Sequence, residues 1–303
     1  MKELYPMRGV ITTVNTPFNE DLTINWSDLR RTAEAALEAG VSGFLAPCFA
    51  SEIDELTNEE RYRMVTELLT VTHQAGHGIV MPNVRGKTKD DCVEQAKRYL
   101  DLGVDGVNIF MPTVTEESYR ELVAAVDELH PPFLCLQDTK DNELRAPFVK
   151  SMFDEFESFR CIKIETANPG PDYTAVLKAT DGRLNVSGSW GSDQMIEAFD
   201  RGIHALMPSG LFELFVNVYR LYHEKSREAA MKLFFDILPI IVFTRQSDSA
   251  NLSLHKRYFQ RLGLYTTTKF RAPFAVDAVQ ARYIEEMIDR ALYIRDHMDQ
   301  YWQ

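Results

Sequence analysis

Cysteine is scarce in this 303-residue chain: there are 4, at positions 48, 92, 135 and 161, with no Cys-x-x-Cys spacing. That pattern argues against a disulfide framework and a structural zinc site, and it fits a reducing compartment. Positive charge is also short, with 33 Lys and Arg against 45 Asp and Glu, a formal balance of -12. Such a balance argues against nucleic acid or an anionic membrane as partner, although a local site can still take an anionic substrate. No apolar run is long enough to span a bilayer; the greasiest, 233–243, is broken by Asp236 and Pro239. Met1 to Pro6 lack the apolar core of a signal peptide, so a cytoplasmic protein is expected. No Gly-rich phosphate loop follows the first strand candidate, and no His accompanies the carboxylates at strand ends. Neither a nucleotide nor a metal cofactor is therefore expected.

What the chain does have is alternation. Short apolar runs near 9–15, 42–47, 78–84, 105–111, 132–137, 161–165, 184–188 and 204–208 read as strands. Amphipathic stretches near 26–39, 58–75, 89–102, 116–129, 146–158, 172–180, 192–201 and 211–223 read as helices between them. The second helix is punctuated by Thr57 and Glu60 as a capping box and by Gly76 at its end. Three helix-to-strand joints repeat one pattern, beginning at Gly40, Gly103 and Gly202, where glycine supplies a left-handed cap. A repeated βα unit predicts an α/β fold, a (β/α)8 TIM barrel over residues 1–224. Residues 225–303 read as helices near 226–244, 249–262 and 277–299, a C-terminal helical extension packed on the barrel. Its dense aromatics (Phe234, Phe235, Tyr258, Phe259, Tyr301, Trp302) suit core packing or a subunit contact.

The run Cys161-Ile162-Lys163-Ile164-Glu165 carries the most chemistry. As a strand it puts Ile162 and Ile164 on one face and Cys161, Lys163 and Glu165 on the other. A buried lysine beside a carboxylate is either a structural ion pair or an amine nucleophile able to form a Schiff base with a carbonyl. In a barrel, functional groups sit at the C-terminal ends of strands. Polar residues end the other strands too: Asn15 and Thr16, Ser51 and Glu52, Asn83 and Arg85, Gln137 and Asp138, Ser187 and Ser189, and Ser209.

In this order the motifs become recognisable. They run Thr16-Pro17-Phe18, Ala50-Ser51-Glu52, Leu56-Thr57-Asn58-Glu59-Glu60-Arg61, Ile162-Lys163-Ile164-Glu165-Thr166, Ser187-Gly188 and Met207-Pro208-Ser209. The chain resembles the dihydrodipicolinate synthase/N-acetylneuraminate lyase superfamily of Schiff-base barrel lyases, over nearly its whole length. Gln137-Asp138 and Gly188-Ser189-Trp190 bring it nearest to the 2-keto-3-deoxy sugar acid dehydratases. The resemblance implies a cofactor-free lyase acting on a 2-oxo acid, pyruvate or a 2-keto-3-deoxy sugar acid, in a homo-oligomer, dimer or tetramer. It implies Lys163 as the imine-forming residue, with Glu165 as acid/base or orienting group. Ala50, Ser51, Gln137, Ser187, Gly188 and Leu206 are the implied substrate contacts.

There are departures. Most members carry Gly-Thr-Thr-Gly-Glu where this chain has Cys48-Phe49-Ala50-Ser51-Glu52. The family's relay tyrosine on the fifth strand corresponds to Cys135 or its neighbour, and a second tyrosine corresponds to Val114. Two other readings stand beside the lyase: a catalytically degenerate relative that binds a keto acid, and a divalent-metal barrel with Glu52, Asp138 and Glu165 as oxygen ligands.

Overall fold

The computed structural model describes residues 2–110, 115–139, 144–189 and 192–303. Its parallel strands are β1 (Gly9–Thr13), β2 (Gly43–Leu45), β3 (Ile79–Val80), β4 (Asn83–Val84), β5 (Val107–Ile109), β6 (Leu134–Thr139), β7 (Phe159–Glu165), β8 (Asn185–Gly188) and β9 (Ala205–Leu206). They order as β3-β2-β1-β9-β8-β7-β6-β5-β4. The two edge strands of that order are halves of the single run 79–84. Pro82 has no N–H to give the ladder, so the strand divides there. Backbone bonds bridge the gap: Met81 N–H donates to Phe44 O at 2.9 Å, Asn83 N–H to Pro47 O at 3.0 Å, and Asn108 N–H to Pro82 O at 2.9 Å. The sheet thus closes on itself as an eight-fold α/β barrel, as the alternation in the sequence requires.

Around it lie α1 (Trp26–Glu38), α2 (Asn58–Ala75), α3 (Lys89–Asp101), α4 (Glu116–Asp127), α5 (Ala146–Glu155), α6 (Pro169–Ala179), α7 (Met195–Asp200) and α8 (Phe212–Arg220). The capping box at Thr57 and Glu60 forms, and Gly76 ends α2 in the left-handed region at φ 71°. Gly40, Gly103 and Gly202 all take positive φ, at 99°, 86° and 88°. α8 continues through a π-turn at Leu221–Lys225 into α9 (Arg227–Thr244), α10 (Asp248–Arg261), α11 (Ala278–Asp296) and α12 (Asp299–Trp302). Phe234, Tyr258, Phe259 and Tyr301 are buried, so the C-terminal aromatics are chiefly core, while Phe235 is 57% exposed. Among the described residues no helix is long and apolar enough to cross a membrane.

Two apolar layers divide the strand residues by parity. Ile162 and Ile164 join Leu136, Val186 and Leu206 between sheet and helices. Cys161 joins Ile11, Leu45, Met81, Phe133, Cys135, Ala205 and Met207 inside the barrel. The N-terminal segment plugs the lower end, where Asn185 Nδ2 donates to Tyr5 O at 3.0 Å and Met7 O at 2.8 Å.

Two buried histidines make stability depend on pH. His204 Nδ1 accepts the Val186 N–H at 2.9 Å; burial, with Arg8 nearby, pulls its pKa down to about 4. His255 is 2% exposed in α10, and burial pulls it to about 3. The unfolded chain binds a proton at each near pH ~6.5, which the folded protein refuses until well below that. Stability is therefore full above the unfolded value and lost as pH falls toward 4. Urea unfolding at successive pH values should show a loss steepening to about 2.7 kcal/mol per pH unit from these two sites. His204→Asn should halve that slope; an unchanged slope would show that His204 titrates normally.

Candidate active site

β7 places its polar face inside the barrel. Lys163 is 4% exposed, and its Nζ lies 3.2 Å from Glu165 Oε2. Such a pair is costly to form, and each ion needs further partners. Glu165 finds them on both neighbouring strands. Ser189 Oγ, just beyond β8, donates to its Oε1 at 2.6 Å, and Gln137 Nε2 from β6 donates to its Oε2. Asn108 Nδ2 on β5 then donates to Gln137 Oε1 at 3.0 Å and also to Asn83 Oδ1 on β4. The result is a polar girdle running across five strands, in which Gln137 and Ser189 donate to one carboxylate and Asn108 donates to Gln137. A carboxylate only accepts, so Glu165 fixes the direction in which the Gln137 amide lies, and through it the Asn108 amide.

Below the girdle lies a layer of thiols and hydroxyls. Cys135 pairs in register with Cys161, and Gln137 pairs with Lys163. The β6 position across from the lysine is thus Gln137, and Cys135 sits one layer deeper. Burial and the adjacent Cys161 push the Cys135 thiol well above its ordinary pKa, which keeps it protonated and unsuited to a relay. Ser187 lies in register with Lys163 on the other side and is fully buried, with its Oγ 3.4 Å from Asn185 Oδ1.

Other expected contacts fall differently. Leu206 turns outward among the residues beneath the helices, while Ala205 and Met207 face in. The side chain of Leu206 is therefore not brought to the girdle. Gly188 presents its Cα to Tyr173, whose hydroxyl would lie 2.8 Å from an added Cβ, so this glycine serves sheet-to-helix packing. Ser51 and Ala50 sit in the tight turn Phe49–Ser51 after β2. The Ser51 hydroxyl donates to Val14 O at 2.5 Å and accepts from Cys48 N–H at 3.1 Å, and its N–H donates to Cys48 O at 2.9 Å. Both donors of Ser51 are thus engaged, the hydroxyl with Val14 O and the N–H with Cys48 O. Val114 and Trp190 lie outside the described residues.

The three carboxylates of the metal reading go to separate partners. Glu52 is ion-paired with Lys256 at 2.6 Å, Asp138 Oδ1 accepts Leu144 N–H at 2.8 Å, and Glu165 closes the girdle. Asn108 is the residue that motif reading missed. A single Asn between Val107 and Ile109 in an apolar strand is the parity signal that marks it as inward.

The Dihydrodipicolinate synthetase family model matches residues 6–129. A DapA-like lyase of Halobacterium salinarum is 26% identical over 236 residues, 74% of this chain and 75% of that protein. The dihydrodipicolinate synthase structure from Rhodopseudomonas palustris superposes with a TM-score of 0.87 at 21% identity, covering 96% of this chain and all of the other. The sialic acid aldolase of Ruminococcus gnavus gives 0.86 at 14% identity, over 96% and 98%. The chain is thus similar in fold to a dihydrodipicolinate synthase and to a sialic acid aldolase. Its barrel is the fold they share.

Replacing one partner of the central pair tests the girdle. Glu165→Leu strands a buried ammonium and should lower stability by about 3–5 kcal/mol in chemical denaturation. Adding Lys163→Met should recover part of that loss, because no ion is then left unpaired. Strictly additive losses would mean that the two side chains do not pair.

Proposed function

We propose that this protein is a lyase that binds a 2-oxo acid as an imine on Lys163. The observation that carries the reading is a buried lysine, inside a barrel of this family's fold, whose only ion-pair partner among the described residues is the girdle-held Glu165. The Lys163 amine adds to the C2 carbonyl and water leaves. The resulting imine withdraws electrons from C3, so that a C3 proton can be removed and a group at C4 expelled.

Dehydration of a 2-keto-3-deoxy sugar acid is the favoured reaction. Its C3 proton goes to a base, its C4 hydroxyl leaves with a proton as water, and hydrolysis then frees Lys163. Glu165 supplies the base or orients the amine, and Ser187, in register with Lys163, lies beside the reacting carbon. Gln137 and Asn108 offer amides to a polyhydroxylated chain. At the β2 turn, binding of the substrate carboxylate exchanges the Ser51–Val14 bond for a stronger, charge-assisted one, beside the Ala50 backbone. No metal or nucleotide takes part in this scheme. We propose a cytoplasmic homo-oligomer, dimer or tetramer, to be read from its mass in solution.

One observation favours a second reading. Ser51 is committed to its own turn, as in a relative that has given up turnover and only binds keto acids. A panel of 3-deoxy-2-oxo acids, run beside pyruvate with aspartate semialdehyde, separates the cases. Water loss from a 3-deoxy-2-oxo acid, resistant to chelation and reduced by about 10³-fold or more in Lys163→Ala, is expected. Efficient condensation of pyruvate, or activity restored only by Mg2+ or Mn2+, would contradict it. An inert panel would leave the keto-acid binder.

A further inference from the structure

A second lysine–carboxylate pair lies behind the β2 turn. Lys256 of α10 and Glu52 have fully buried side chains, with Nζ 2.6 Å from Glu52 Oε1 and 2.7 Å from the carbonyl of Lys269. The ammonium also stands 4.1 Å from the Phe270 ring centre and 4.6 Å from that of Phe18. The other oxygen of Glu52 accepts the N–H groups of Arg271 and Ala272, each at 2.9 Å. Glu52 itself sits in the left-handed region at φ 56°, which a residue with a Cβ adopts only when its surroundings hold it there.

The same strap, residues 265–274, is tied to every loop that follows β1 or β2. Tyr265 OH donates to Asn15 O at 2.5 Å and Thr267 Oγ1 to Phe18 O at 2.6 Å. Arg271 forms a fork with Glu60 at 2.6 and 2.7 Å and also donates to Leu22 O and Glu55 O, each at 3.0 Å. Phe270 and Phe274 then pack on the barrel-interior cluster that includes Cys48 and Ala50, and Phe274 meets Phe49 edge-on with centres 6.5 Å apart.

We infer that Lys256 is a positioning residue: paired with Glu52, it latches the C-terminal strap onto the Cys48–Glu52 turn and so sets the backbone that holds the substrate's carboxylate. The carboxylate clause rests on the imine-lyase reading. Lys256 itself never touches substrate. Burial pulls its ammonium down to about 8 while Glu52 pulls it up. Removing the lysine therefore leaves a buried anion with only backbone donors, and the turn loses the contact that justifies its strained φ. A site held to within about half an ångström depends on such support.

The test compares the protein with Lys256→Met and with Arg271→Met. Two quantities are read: amide hydrogen exchange along the chain, and the pyruvate concentration that half-saturates borohydride labelling of Lys163. Lys256→Met should speed exchange about tenfold in both 48–55 and 266–272, and raise the half-saturating pyruvate about tenfold. The labelling rate at saturating pyruvate should stay within about twofold of wild type, since the amine is untouched. Arg271→Met should shift both quantities the same way. Lower thermal stability with unchanged exchange at 48–55 and an unchanged half-saturation would overturn the latch. If Lys256→Met does not fold, the Arg271 variant decides, because that side chain is 20% exposed and its loss is tolerable. Absence of labelling in the wild type would count against the imine reading alone, and exchange in the two segments would still judge the latch.

Discussion

A buried ammonium needs a carboxylate, and a buried carboxylate needs donors. The interior of this barrel is organised around that constraint at Glu165. Its two oxygens take Lys163 from its own strand, Gln137 from one neighbour and Ser189 from the other. The alignment of Gln137 determines which atom it offers Asn108, and Asn108 in turn meets Asn83. Inside a low-dielectric barrel an incomplete network of this kind would cost more than an apolar filling, so the girdle is informative because it is nearly complete. It holds the Lys163 amine in one place, with the Gln137 and Asn108 amides beside it.

The two buried lysine pairs show what a sequence discloses and what it hides. Lys163 and Glu165 are two residues apart on a strand, so alternation alone puts them on one face. Lys256 and Glu52 are far apart in the chain, and nothing around Lys256 in Leu254-His255-Lys256-Arg257 separates it from an exposed helix lysine. Its partner is fixed only once the helices after the barrel fold back over the β2 loop. Regular punctuation was equally legible. The capping box at Thr57 and the positive-φ glycines ending α1, α3 and α7 form because they answer local backbone needs.

Parity, stagger and turn geometry account for what the sequence leaves open. Leu206 is among the contacts the resemblance implies, and strand parity with inward Met207 turns its side chain outward. Cys135 and Gln137 both face inward, and only the stagger between β6 and β7 determines which of them stands across from Lys163. In the sequence the Ser51 hydroxyl reads simply as a donor at a strand end. The tight turn consumes that donor, and turn geometry is set by contacts with Val14 and Cys48 that no local pattern announces. Pro82 split one expected strand into two without opening the barrel, because its neighbours and its own carbonyl carry the ladder past it.

The central claim is that Lys163 is a nucleophile and not merely half of an ion pair. The most direct measurement is a crystal structure of the protein soaked with pyruvate. The account predicts continuous density from Lys163 Nζ to the pyruvate C2, with the Glu165 carboxylate still held by Ser189. An intact, unmodified Lys163–Glu165 pair at saturating pyruvate, with the keto acid absent or lying elsewhere, would contradict it.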